Sequence, residues 1–289
     1  MVLNFLGVVF DGLAYGMLLF LISVGLSVTM GLMGFINLAH GAFAMAGGYL
    51  AVTLMNAGWP FLATLPVVFI VVATAALLCE RAFYRPLYRA SSLDQVLLTV
   101  GLIFMAMAAA TYIWGSAQQP VRLPAYFSGQ LSLLGLELSR YRLFLIGVGA
   151  AITLALVFGL ERTRFGAKVR AAVDNQRMAA GIGINVGAVF QITFALGSGL
   201  AGLGGALGID VLGLDPAFPI KYLVYFLLVV AVGGAGSVQG TLAAALLLGV
   251  SDVAGKYYIP QVGAFVIYAV MVLLLLLRPE GLTGRRAAT

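Results

Sequence analysis

The sequence predicts an all-α, polytopic helical membrane protein with about eight membrane segments, some of them broken or re-entrant. Three observations carry this. Hydrophobic residues make up 62% of the 289 residues and charged residues only 9%, against about a quarter charged in a typical soluble domain. Apolar runs near the roughly 20 residues that a spanning helix needs recur along the chain. Basic residues gather in alternate connections between those runs. A single water-exposed core could not bury so much apolar surface. A soluble enzyme, a disordered chain and a nucleic-acid binder are therefore set aside. The net charge of +6 is spread over separate clusters, which reads as membrane-orientation charge rather than a nucleic-acid patch.

Clear spans are expected near 5–31, 61–79, 95–114, 141–160, 186–209 and 263–277. A β-barrel would need alternating strands of about ten residues. Runs such as Val67 to Leu78 do not alternate, and helices satisfy their own backbone in lipid. Met1 leads into the first run without a basic segment or an obvious cleavage site, so a removed signal peptide is not expected. Cys79 is the single cysteine, which excludes an intrachain disulfide. The stretch 115–140 carries Pro120, Pro124 and Gly129, and its partial alternation around Gly135 predicts a small surface hairpin. No low-complexity linker divides the chain, so 1–289 reads as one transmembrane domain.

Orientation follows from the cations. The connections 80–93 and 161–185 and the tail hold eleven: Arg81, Arg85, Arg89, Arg162, Arg164, Lys168, Arg170, Arg177, Arg278, Arg285 and Arg286. The other side holds five: Arg122, Arg140, Arg142, Lys221 and Lys256. The first group is assigned to the cytoplasm. Trp59 and Trp114 then fall at the opposite interface, where aromatic residues anchor helices. The chain from 222 to 277 must cross an odd number of times. A re-entrant pair of half-helices at 222–250 followed by a full span at 263–277 is expected. Segment 35–56 is either re-entrant, which places the N-terminus inside, or a span.

Two polar interruptions are candidates for a transport path. The first contains Asn37, His40 and Gly41, and the second Gly234, Gly236, Ser237 and Gln239. Polar side chains at membrane depth should face protein or a wet cavity. Paired interruptions in the two halves of a chain point to a site at mid-membrane. For His40 two readings stand together: a pathway residue, or one that bonds a neighbouring helix and holds the fold. It is the only histidine, so metal binding is not expected. The second stretch lacks the lysine of a phosphate-binding loop. Gly197, Ala201 and Gly205, with Ser198 and Gly202, recur at four-residue spacing, which suits close helix packing. Asp252 and Lys256 are expected to pair. Asp11 is the only mild candidate for a buried acid.

The connection 161–185 is the longest polar inside segment. Arg170, Asp174 and Arg177 predict one charged helical face with two favourable pairs, and Ala171, Met178 and Ile182 share another face with Asn175. Gly181 and Gly183 should end the helix. Such a helix either docks in a groove of a soluble partner or lies at the lipid headgroups. No catalytic constellation emerges.

The stretch from Gly34 to Gly41 resembles the early signature of permeases of branched-chain amino acid ABC importers. The segment Arg170 to Asn185 resembles that family's ATPase-contacting loop, and Gly233–Ser237 and Leu277–Leu282 match as well. The likeness covers nearly the whole chain and is nearer to the H-type permease than to its longer partner. It implies a multi-pass subunit of a bacterial inner membrane that pairs with a second homologous permease. Two cytoplasmic ATPases, which would bind the ATP, and a periplasmic binding protein would complete the system; no cofactor is expected in this chain. Arg170, Asp174, Asn175, Met178, Ala179, Gly181 and Asn185 would form the coupling element, and Asn37, His40, Gly41, Gly234, Gly236, Ser237 and Gln239 the path. Many family members carry a carboxylate directly after the His–Gly pair, where this chain has Ala42. That leaves open a substrate such as urea or an amide. A carrier or channel driven by an ion gradient, and a membrane-embedded enzyme, are the rival classes.

Overall fold

The computed structural model describes residues 2–34, 37–88, 90–120, 123–133 and 135–283. Arg89, Arg122, Arg285 and Arg286, and Phe35 and Ile36 of the first interruption, lie outside the described residues. The chain is a polytopic helical membrane protein. Its helices are α1 (Val2–Met33), α2 (His40–Asn56), α3 (Phe61–Cys79), α4 (Ser92–Trp114), α5 (Arg140–Arg162), α6 (Arg164–Asp174), α7 (Gln176–Gly181), α8 (Val186–Leu212), α9 (Phe218–Gly233), α10 (Val238–Tyr258) and α11 (Gly263–Leu277). The strands β1 (Gln130–Leu133) and β2 (Leu136–Ser139) pair antiparallel, Leu131 opposite Leu138, with Gly135 at φ +82° in their turn. The hairpin expected around Gly135 is thus present.

Helix ends follow local chemistry. Ser91, Thr163, Asn175, Asn185 and Ser237 each accept a backbone N–H of the following helix, which satisfies donors that the helix itself cannot. α3 runs on through a π-type turn at Glu80–Tyr84 and a 3-10 turn at Arg85–Leu87, where Pro86 supplies no donor.

α8 is the hub. It packs on α1, α2 and α3, and 61% of its most apolar stretch is buried. Small residues make this possible. A methyl group on Gly205 would stand 1.8 Å from the Ala44 carbonyl oxygen of α2, and one on Gly25 of α1 would stand 2.2 Å from the Gly197 carbonyl oxygen. Without side chains there, the backbones approach closely enough for dispersion to bind helices in lipid, where the hydrophobic effect does not act between them. By contrast, α4, α5 and α11 turn Phe104, Tyr112, Leu154, Phe158, Phe265 and Leu276 outward, as lipid-facing helices do.

The helices run between two ends. Gln176 donates to the Leu32 carbonyl oxygen, so α1 finishes beside the 161–185 connection. This is the basic end. At the opposite end Asp11 pairs with Arg142 and Asp252 with Lys256, as expected for the latter. α1 therefore starts at the end away from the basic connections. The re-entrant alternative for 35–56, which would start α1 at the basic end, is corrected: α2 begins inside the bundle and exits at the end opposite the basic connections.

The stretch 222–250 is also corrected. α9 and α10 are not a re-entrant pair. The turn between them lies at the basic end, where Gly236 N donates to the Ser27 carbonyl oxygen and Gln239 to Glu161. The middle of α10, at Ala245, Leu246, Gly249 and Val250, packs on Gly12 and Gly16 in the first half of α1, so α10 runs away from the basic end. α10, with 21 residues, is long enough to span, whereas α9 and α11 have 16 and 15. Residues 278–283 complete the last descent: Leu282 N donates to the Val232 carbonyl oxygen. Three crossings keep the odd parity. Among the described residues six helices are long and apolar enough to cross a membrane, with α9 and α11 as shorter apolar helices, in keeping with about eight membrane segments.

Candidate functional site

The broken start of α2 is the most unusual backbone feature. His40 Nε2 lies 2.8 Å from the Ile22 carbonyl oxygen, so that nitrogen carries the proton and donates. Ile22 stands eleven residues before the end of α1, about 16 Å along its axis. The first turn of α2 therefore sits deep in the bundle, not at an interface. His40, Asn37 and Ala39 are all buried. Gly41 faces Pro219 and Phe226 of α9; a methyl group on it would be 3.1 Å from the Pro219 Cα. With no side-chain cap, the positive end of the α2 dipole and the Asn37 side-chain amide meet here. Asn37 Nδ2 is buried without a hydrogen-bond partner.

A polar network that sequence reasoning missed backs this tip. The Tyr84 hydroxyl donates to Asn37 Oδ1 at 3.0 Å. Four residues earlier, in the same π-type turn, Glu80 is 1% exposed. Its carboxylate accepts from the Tyr88 hydroxyl at 2.5 Å and from Gln191 Nε2 at 2.8 Å. A wide helical turn at this point aims both Glu80 and Tyr84 inward, and π-type turns recur at functional sites. The one signal was an acid closing an apolar run without an exposed partner; beside Arg81 it reads as an interfacial charge.

The second interruption lies elsewhere. Gly234 (φ +90°) and Gly236 (φ +85°) take left-handed conformations that turn the chain from α9 into α10. Ser237 caps α10 by accepting from Gly240 N. Thr241, Ser27 and the Ser237 carbonyl are joined by hydrogen bonds of 2.7–2.8 Å. The expectation that both interruptions meet at mid-membrane is corrected: Gly234, Gly236, Ser237 and Gln239 sit at the basic end, while His40 at the start of α2 lies deeper, level with Ile22 of α1, with Asn37 and Gly41 beside it. The structure instead joins the second group to the coupling residues. Gly236, Ser237 and Gln239 line a cavity of about 580 Å³ together with Arg170 and Asp174.

The expected single amphipathic helix over the coupling segment is broken. Asn175 adopts an extended conformation (φ −159°, ψ 103°) between α6 and α7. Arg170 then donates to the Leu160 carbonyl oxygen, and neither it nor Arg177 forms an ion pair with Asp174 among the described residues. Asn175 and Asn185 spend their side-chain oxygens on the caps of α7 and α8. Ala179 is buried and anchors α7. Arg170, Asp174 and Gly181 are exposed. So are Val173, Met178 and Ile182, at 42%, 68% and 74%. An apolar tip flanked by charge thus projects from the basic end.

Residues 8–275 match the family described as branched-chain amino acid transport system / permease component. The chain is 28% identical to the high-affinity branched-chain amino acid transport system permease protein BraD of Pseudomonas aeruginosa, over 95% of this chain and 94% of that one. It is also 28% identical to the corresponding protein LivH of Escherichia coli K12, over 98% and 96%. A probable LivH of Methanocaldococcus jannaschii is 27% identical over 93% and 90%. No solved structure matches the chain.

Proposed function

The chain belongs to the family of branched-chain amino acid transport permease components, and from that premise we propose that it is the membrane permease subunit of an ABC importer for branched-chain or related amino acids. The match across residues 8–275 carries the reading. The geometry adds a lever and a path. The exposed tip at Val173, Met178 and Ile182 offers the kind of apolar surface that a groove on a soluble ATPase subunit would cover. The cavity behind it separates Arg170 and Asp174 from the α9–α10 turn, while α6 packs on α1, α5 and α8 and Gln176 is bonded to the Leu32 carbonyl oxygen, so a push on α6–α7 passes to α1 and α8. α1 in turn holds His40 and the buried start of α2. Rigid-body motion of the α6–α7 segment would then open or close the path beside Asn37 and His40.

In this reading the subunit sits in a bacterial inner membrane and pairs with a second homologous permease. It takes substrate from a periplasmic binding protein and hydrolyses no ATP itself. The tip is the point to test. Met178→Asp places a charge in the docking surface without touching a buried contact. The assembly should lose copurifying ATPase subunits, and leucine-charged binding protein should no longer stimulate ATP hydrolysis in nanodiscs. Full copurification and full stimulation with Met178→Asp would remove α6–α7 as the coupling element.

A further inference from the structure

At the end opposite α6–α7 a cavity of about 500 Å³ opens between α1, α5, α8, α9, α10 and α11. Its volume falls in the range of small-molecule sites, about 300–1,000 Å³. Its lining is the reverse of a lipid-facing groove. Asp252 lies at the floor, with its side chain 2% exposed. One of its oxygens, Oδ2, receives Lys256 Nζ at 2.6 Å; the other, Oδ1, is buried without a partner. Lys256, Lys221 and Arg142 stand at the mouth, their side chains 50%, 51% and 39% exposed. Arg142 is matched by Asp11. Lys221 is held only loosely, 3.7 Å from Asp215, which is not part of the lining. Tyr15, Tyr222, Tyr225 and Tyr268 form the walls; Tyr225 neighbours both Tyr222 and Tyr268, with ring centroids 6.0 and 6.3 Å away.

A carboxylate buried with one idle oxygen is costly unless something comes to pair with it. An ammonium group would do so, and the aromatic faces around it also favour a cation. A ligand that were only a cation would meet three positive side chains at the entrance. A ligand with an ammonium at one end and a carboxylate at the other satisfies both layers, and the tyrosine rings with Leu145, Val211 and Val253 between them accept the rest of it. We propose that this cavity is a binding site for a zwitterionic α-amino acid, carried by this subunit alone. Its ammonium pairs with Asp252 Oδ1 and its carboxylate faces Lys221 and Lys256 at the mouth. The site rests on the importer reading and deepens it. It supplies a second selection of substrate inside the membrane, after delivery at the outer face and before the path at Asn37 and His40.

The test uses the full assembly in nanodiscs, without binding protein, and radiolabelled leucine as the probe. Leucine should bind saturably. The amine lacking the carboxylate (isoamylamine) and the acid lacking the ammonium (4-methylpentanoate) should each compete at least tenfold more weakly. Asp252→Asn should weaken leucine binding at least tenfold while leaving the melting temperature equal or higher, since it removes a buried charge. Val211→Trp fills the cavity from α8 without altering any charge and should also abolish binding. Equal competition by isoamylamine would make this a cation site and overturn the proposal. So would normal leucine binding in both variants. Failure of the importer reading would look different: no leucine uptake by wild-type assemblies under any condition. Failure of this site alone would leave wild-type uptake intact and both variants unimpaired.

Discussion

Replacing Gly205 by alanine tests whether α8 and α2 are as closely packed as the buried start of α2 requires. The new methyl group would stand 1.8 Å from the Ala44 carbonyl oxygen and 2.6 Å from its carbon. Both are backbone atoms, so no rotamer change relieves the overlap. Ordinary contact begins near 3.4 Å, which requires the helices to part by about 1.6 Å along that line. A gap of about 0.5–1 Å already forfeits a quarter to a half of each contact's attraction. The loss spreads along the face, including the Gly47–Gly202 approach. Overpacking costs about 1–3 kcal/mol, and the backbone origin of the overlap places Gly205→Ala at the upper end. A destabilisation of about 3 kcal/mol corresponds to a melting temperature lower by about 6–12 °C, measured in detergent, with reduced transport. Gly101→Ala and Gly147→Ala are the controls: a methyl group at either meets nothing within 4 Å, and melting should be unchanged or slightly raised. Wild-type melting and wild-type transport in Gly205→Ala would refute the packing argument.

Three further outcomes follow from the same geometry. His40→Leu removes the bond to α1 and should cost about 0.6–1.7 kcal/mol in thermal melts, with His40→Gln closer to wild type; a Leu variant as stable as the parent would count against the α1–α2 tie. Gln191→Leu leaves Glu80 Oε2 without its donor and should destabilise by about 1–3 kcal/mol, whereas no change in melting would mean that Glu80 is otherwise satisfied. In a Cys79→Ala background, Ser128→Cys in whole cells should react with a membrane-impermeant maleimide and Gln176→Cys should not; the reverse pattern would invert the orientation.

Hydropathy located the helices because a spanning run needs length and apolarity, and both are written locally. The hairpin at Gly135 and the Asp252–Lys256 pair were equally local. Depth was not legible. The Gly234–Gln239 interruption and the Asn37–Gly41 interruption look alike as strings, yet one turns at the basic end and the other starts a helix about 16 Å inside the bundle. Only contacts with α1 distinguish them. The coupling segment was misread for a different reason. Its charges fit one helical face, but Asn175 prefers to cap, and a cap outweighs two solvent-exposed ion pairs of a few tenths of a kcal/mol each. Glu80 was hidden because burial depends on where Tyr88 and Gln191 come from in the fold.

In the proposed importer, force from ATP hydrolysis reaches the membrane helices through α6–α7. Uptake of radiolabelled leucine into proteoliposomes, with the permease pair, the ATPases and the binding protein reconstituted together, measures this directly. Accumulation should require ATP on the α6–α7 side and stop when ATP is withheld, whatever proton or sodium gradient is imposed. Accumulation driven by an ion gradient without ATP would contradict the account.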